Sequence, residues 1–267
     1  MSMKNSSQWH SALAIYKRLG IRYISKTSTE NMPISSVLSE TVSVESVEPP
    51  MMENKAVESP VSHQGFKSSW ITASADTIQA MELTAFERDI CGCQKCPLGA
   101  TRKNFVFGSG NPQAKVLFIG EAPGADEDEQ GLPFVGRAGQ LLTKIIESTQ
   151  TWKRSDVFIC NVLKCRPPGN RTPLPEEVEQ CRPYLEEQIQ IIKPRLIMAL
   201  GAVAAQALLR SKDSVGKMRN RWHDHNGIPL RVTYHPAALL RFDGYKKDVW
   251  QDMKELTAKY QELEGLS

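Results

Sequence analysis

From about residue 80 onward the chain alternates between two periods. Short, β-rich apolar runs at 115–120, 156–162, 195–200 and 230–235 are separated by helical patterns at 137–149, 175–193, 202–210 and 246–263. In the first of these patterns Leu141, Leu142, Ile145 and Ile146 share one helical face, while Glu186, Glu187 and Lys193 take polar positions in the next. Strands that recur only after a helix predict an α/β fold of three layers, α/β/α, with a central, mainly parallel sheet. In such sheets ligands bind at the carboxyl ends of the strands. Three loops would then meet: GEAPG after the first run, NVLKCRPPGNR at the end of the second, and HPAALLR after the last. No internal repeat is present.

The first 78 residues read differently. Residues 1–26 carry five Lys/Arg and no acid, and Trp9, Leu13, Ile15, Tyr16 and Leu19 recur near helical spacing, as in a basic amphipathic helix. Residues 27–78 are rich in Ser, Val, Glu and Pro without a period and read as a disordered linker, leaving 79–267 as the folded domain. No apolar run approaches the 18 residues of a membrane span, and the first apolar stretch is broken by Lys17 and Arg18, so the expected location is the cytoplasm. A net charge of +3 permits nucleic-acid binding without arguing for it.

Six cysteines lie at 91, 93, 96, 160, 165 and 181. Clustering of this kind in a reducing compartment favours metal ligation over disulfides. Cys93 and Cys96 form a CxxC turn, and Cys165 and Cys181 follow at a wide separation. Four thiolates suit zinc or an iron-sulfur cluster; the split second pair, and Pro97 directly after Cys96, favour the cluster. Cys160, inside an apolar run, reads as a buried thiol on the face opposite Asn161, and Cys91 is spare.

Residues 120–136, GEAPGADEDEQGLPFVG, concentrate acid beside a strand end. Asp126, Glu127, Asp128 and Glu129 suit a helix start, where the dipole favours acids. A rival reading makes the same run a magnesium site for phosphoryl hydrolysis, which activity in excess chelator would exclude.

CQKCPL (93–98), GSGNPQAKVLFIGEAPGADEDEQGLPFVGRAGQLL (108–142), NVLKCRPPGNRTPLPEE (161–177), Cys181 and HPAALLR (235–241) together resemble the family 4 uracil-DNA glycosylases. The resemblance covers about residues 85–262. A relative that traps DNA covalently through the histidine of a KRRIH insert is disfavoured, since RPPGNRTP stands at that place. The family resemblance implies a uracil-DNA glycosylase-like α/β/α fold and one 4Fe-4S cluster on Cys93, Cys96, Cys165 and Cys181. It implies excision of uracil from DNA, with no catalytic metal, by a monomer working upstream of other base excision repair enzymes. Nothing carries over to the N-terminal 80 residues.

The residue chemistry suits that expectation. A glycosylase must flip its nucleotide out of the stack, stabilise a departing base anion and shelter a sugar that grows positive. Glu121, at the strand end, is the expected carboxylate for the sugar and the attacking water. His235 is the expected donor to the leaving base. Ala122 and Pro123 would form a tight turn that brings backbone amides to a uracil carbonyl, Asn161 would read the base edge, and Phe134 would stack on the ring. Arg166, Asn170, Arg171 and Arg241, with Lys217, Arg219 and Arg221 in GKMRNRWH, are candidate phosphate contacts. Leu239 and Leu240 both qualify as the wedge that fills the vacated step. A non-catalytic, cluster-stapled DNA-binding module remains the other alternative.

Overall fold

The computed structural model describes residues 74–265. The segment 1–26 and most of the predicted linker lie outside them. The first described helix, α1 (Ala75–Ile90), begins ahead of position 79, where the sequence pattern places the domain boundary; Ser74 caps it by accepting a hydrogen bond from the Thr77 amide at 3.2 Å. A short α2 (Leu98–Thr101) follows the CxxC turn.

Six strands form one sheet: β1 (Ser109–Gly110), β2 (Val116–Gly120), β3 (Phe158–Asn161), β4 (Leu196–Leu200), β5 (His223–His225) and β6 (Ile228–Thr233), in the order β1-β3-β2-β4-β6-β5. The four central strands are parallel and both edges are antiparallel. The chain leaves β2 first to one side, for β3, and then crosses to the other, for β4, so strand order reverses around β2. That is where a doubly wound sheet opens a crevice.

Both sheet faces are covered, which is why β2 and β4 are apolar at every position rather than alternating. Leu117, Ile119, Cys160 and Ile197 pack on one face against α5 (Pro175–Ile192), α6 (Ala202–Leu209) and α1. Val116, Phe118, Ile159 and Met198 pack on the other against α4 (Arg137–Ser148) and the last helix, α9 (Tyr245–Glu264). The remaining helices are single turns or little more: α3 (Ala125–Gln130), α7 (Val215–Met218) and α8 (Pro236–Leu239). The expected three-layer α/β/α architecture is the one observed.

Two expectations fail in the packing. Arg219 is no phosphate contact: it is buried, donates to Asp252 at 2.8 Å, pairs with Asp248 at 3.2 Å and lies over the Tyr234 ring at 4.6 Å. Asp252, fully buried on α9, also accepts from Thr233, so this ion pair ties α7 and the sheet to the last helix. Leu239 is no wedge either. It closes α8 with its side chain 2% exposed, in the core formed by α4 and α9, whereas Leu240 is 50% exposed.

Candidate active site

The carboxyl ends of β2, β3 and β6 open into a cleft of about 710 Å³. Glu121, Ala122, Pro123, Phe134, Asn161, His235, Leu240 and Arg241 all line it, together with Asn170 and Arg171 from the loop after Cys165. The three loops predicted to meet therefore do meet. Backbone bonds hold two of them in register beyond the strands: the Val162 and Leu163 amides donate to the carbonyls of Gly120 and Glu121 at 3.0 and 3.1 Å.

Glu121 follows the last residue of β2, is half-buried, and its carboxylate makes no hydrogen bond among the described residues. Burial pushes its pKa above the ordinary carboxylate value. An unpartnered carboxylate in a partly dry cleft is costly to maintain, as catalytic acids and bases commonly are. The task of satisfying the loop amides falls to Glu127 instead, which accepts from Gly124 at 3.1 Å and from Val135 and Gly136 at 2.9 Å each. Two more of the run are engaged as well: Asp128 is buried and accepts from the Lys103 amide at 2.9 Å, and Glu129 pairs with Lys103, while Asp126 is exposed and makes no side-chain hydrogen bond among the described residues. These residues shape the loop on either side of α3, and a magnesium site made from them has no support.

Since Pro123 has no N–H and the Gly124 amide is spent on Glu127, the Ala122 amide, free among the described residues, is the one in Ala122–Gly124 left to serve a base carbonyl. Pro123 contributes a wall.

Asn161, the last residue of β3, is 2% exposed, and its Oδ1 is buried without a partner. Its backbone carbonyl is fixed by the buried Lys164, which donates to it at 2.8 Å and also to Gln188 of α5. Phe134 stands beside it, its ring centroid 5.6 Å from that of His235 and tilted by 34°. Its backbone is left-handed at φ 53°, an unfavourable state for a bulky residue that the surroundings must enforce. Two glycines allow the arrangement. A Cβ on Gly120 would come within 2.4 Å of Asn161 Oδ1 and 2.5 Å of the Phe134 ring, and one on Gly139 within 1.9 Å of the Phe134 carbonyl.

His235 caps α8, and its Nδ1 accepts a hydrogen bond from the Ala237 amide at 3.2 Å. That assigns the tautomer: the proton is on Nε2, the nitrogen left to donate. Burial, reinforced by the Arg241 cation, brings the imidazole pKa down to about 4, so it is neutral at ordinary pH.

At the rim, Leu240 and Arg241 are exposed next to each other. Arg166 does not line the cleft but donates at 2.7 Å to Asn170, which does, and Arg171 is held bidentately by Glu177 of α5 at 2.9 and 2.6 Å, which offsets its charge. Lys217 and Arg221 are exposed but do not line the cleft. Arg137, the first residue of α4, lines the cleft with an exposed side chain and went unnoticed in the sequence, although its place directly after PFVG marks it.

Away from the cleft, Cys93, Cys96, Cys165 and Cys181 line a second, smaller pocket, while Cys160 is buried in the sheet and Cys91 is exposed. Among the described residues no group of three or more His, Cys, Asp or Glu side chains is gathered as a site for a single metal ion. Four thiols ringing a pocket are instead a donor set suited to a larger iron-sulfur unit. Cation and hydroxyl donors already face the sulfurs: Arg102 reaches Cys165 Sγ at 3.4 Å and the Tyr184 hydroxyl reaches Cys93 Sγ at 3.2 Å. Burial lifts the Cys181 thiol to about 11, so thiolates here require a positively charged centre to stabilise them.

A model of the uracil DNA glycosylase superfamily matches residues 107–254, and the chain belongs to that superfamily. Within it the chain belongs to the type-4 branch. It is 46% identical over 181 residues to a type-4 uracil-DNA glycosylase of Pyrobaculum aerophilum, spanning 65% of this chain and 92% of that protein. It is 48% identical over 151 residues to one of Thermotoga maritima (56% and 78%), and 42% identical over 177 residues to one of Archaeoglobus fulgidus (63% and 88%). No helix among the described residues is long and apolar enough to cross a membrane.

Proposed function

We propose that the cleft hydrolyses the N-glycosidic bond of deoxyuridine in DNA, releasing uracil and leaving an abasic site for later repair enzymes. The observation that carries this reading is Asn161, whose Oδ1 is buried without a partner and which lines the cleft together with Glu121 and His235. Uracil presents a ring N–H to such an acceptor. Cytosine presents a lone pair there, leaving two buried acceptors facing each other at about 1–3 kcal/mol for each unpaired group. Discrimination follows from that mismatch.

Phe134 would stack on the flipped ring. Nε2–H of His235 would donate to the carbonyl oxygen that gathers charge as the C–N bond lengthens, and the Ala122 amide can support it. Glu121, ionised, would stabilise the cationic sugar and take a proton from the attacking water. Leu240 would occupy the vacated step while Arg137 and Arg241 meet phosphates.

A 4Fe-4S cluster held by Cys93, Cys96, Cys165 and Cys181 would act as a staple joining the end of α1, the loop after β3, and α5. That loop carries Asn170 to the rim, with Arg166 bonded to it, and its first residues follow Asn161 directly. The chain acts as a monomer on this reading.

A uracil-containing oligonucleotide treated with protein and then alkali tests the function, with chelator in excess. Strand cleavage at uracil is expected; binding without cleavage would favour a DNA-binding module, and cleavage lost to chelator would favour metal-dependent hydrolysis.

A further inference from the structure

Two residues after the proposed wedge, Phe242 is 59% exposed. Nothing described so far requires it. Its amide donates to the Ala238 carbonyl at 2.9 Å, and Ala238 lines the cleft, so the segment Leu240–Phe242 is pinned to the rim and does not trail away. The ring is also braced from behind. It meets Tyr245 edge-on at 5.8 Å, Tyr245 stacks on Tyr234 at 4.0 Å and 17°, and Tyr234 rests against the buried Arg219, itself locked to Asp252. The stack behind the ring leaves its other face uncovered beside the proposed wedge, where a flat partner can sit.

We infer that Phe242 stacks on the base left unpaired opposite the extruded nucleotide. This rests on the glycosylase reading above. Extrusion deprives two groups of their neighbours: the flipped base, which the cleft receives, and its former partner in the other strand. Leu240 is small beside the base it replaces, and it cannot offer the orphaned base a π face. Phe242, two residues further along the same pinned segment, can. Base–aromatic stacking is indifferent to base identity, so this contact would serve any base opposite uracil.

The test is excision by the full chain under single-turnover conditions from two substrates of the same sequence, a uracil–guanine duplex and the uracil strand alone. Phe242→Ala is expected to lower kcat/KM on the duplex by about 5-fold or more while leaving the single strand within about 2-fold. Phe242→Trp should restore duplex activity and Phe242→Leu should not, since leucine is apolar without a flat face. Thermal unfolding should be unaltered in all three, given the exposure. Unchanged duplex activity in Phe242→Ala, or full activity in Phe242→Leu, would overturn the inference. Equal loss on both substrates would also overturn it, by placing the partner base on the uracil strand. A wild-type chain that excises uracil from neither substrate would instead remove the glycosylase reading on which the inference stands.

Discussion

Acidification from pH 8 to pH 5 should leave the donor role of His235 intact. An ordinary imidazole is half protonated near pH 6.5, but at a pKa of about 4 the charged fraction is about 0.3% at pH 6.5 and about 10% at pH 5. Two causes act together. Burial, with Arg241 nearby, disfavours the imidazolium, and a proton on Nδ1 would cost the Ala237 amide its acceptor. Glu121 moves oppositely: burial raises its pKa, so the acid limb of kcat/KM belongs to the carboxylate. The same shifts set stability. The unfolded chain protonates His235 near pH 6.5 and the native state only near 4, so stability is lost as pH falls through that window, on the order of 3 kcal/mol at most. Glu121, which binds its proton more readily in the native state, offsets part of this loss. The assay is single-turnover excision by Glu121→Gln between pH 5 and 8, alongside nuclear magnetic resonance of the His235 ring. Flat residual activity and an Nε2–H tautomer throughout are expected. An inflection near pH 6.5, or a proton on Nδ1 at pH 7, would refute the reasoning.

Glu121→Gln itself should fold normally and lose about 100-fold or more in turnover, as expected for an electrostatic group used in the transition state; turnover at the wild-type level would remove Glu121 from the mechanism. Leu239→Ala should destabilise the fold by about 2–5 kcal/mol in a denaturant titration, whereas Leu240→Ala should leave stability alone and slow excision from duplex DNA; the reverse pattern would exchange their roles. Gly120→Ala should fold but strike Asn161 and the Phe134 ring, so uracil affinity should fall with little change in binding to undamaged DNA, which a competition assay with free uracil can read. Cys165→Ala should bleach the visible absorption of anaerobically purified protein and lower its unfolding temperature; an unaltered brown protein would show that Cys165 holds nothing.

The alternation of apolar runs and helical patterns was enough to place β2, β3, β4 and β6 and the three loops at their carboxyl ends, because each of those elements announces itself over five or more residues or by a following motif. What escaped notice depends on shorter or more distant physics. β1 is two residues long and has no period to detect. β5 pairs with β6 through Asn226-Gly227, both at positive φ, and the only local signal for this hairpin is the Asn-Gly pair in HDHNGIPL. Leu239 and Leu240 are neighbours on a one-turn helix, where periodicity cannot say which faces the core. Arg219 looked like one basic residue among several, because its partner Asp252 lies 33 positions away. Arg102 and Tyr184 reach cysteine sulfurs only after the chain has folded.

Asn161, proposed to read the base, and the thiol pocket are parts of one scaffold. Asn161 closes β3, and three residues later Lys164 is buried with its ammonium on the Asn161 carbonyl and on Gln188. Gln188 in turn donates to the Phe107 carbonyl at 3.0 Å, and it sits two turns along α5 from Cys181. Cys165 is the next residue after Lys164. A displacement of α5 or of Cys165 is therefore transmitted to Asn161 through a buried charge that has no water to relax into. Removing one partner of such a network leaves the ammonium uncompensated, which is far costlier than losing an exposed contact. On the proposed reading, stapling the thiols would hold both ends of this path at once, and a structural group would then affect how sharply the cleft distinguishes uracil from cytosine.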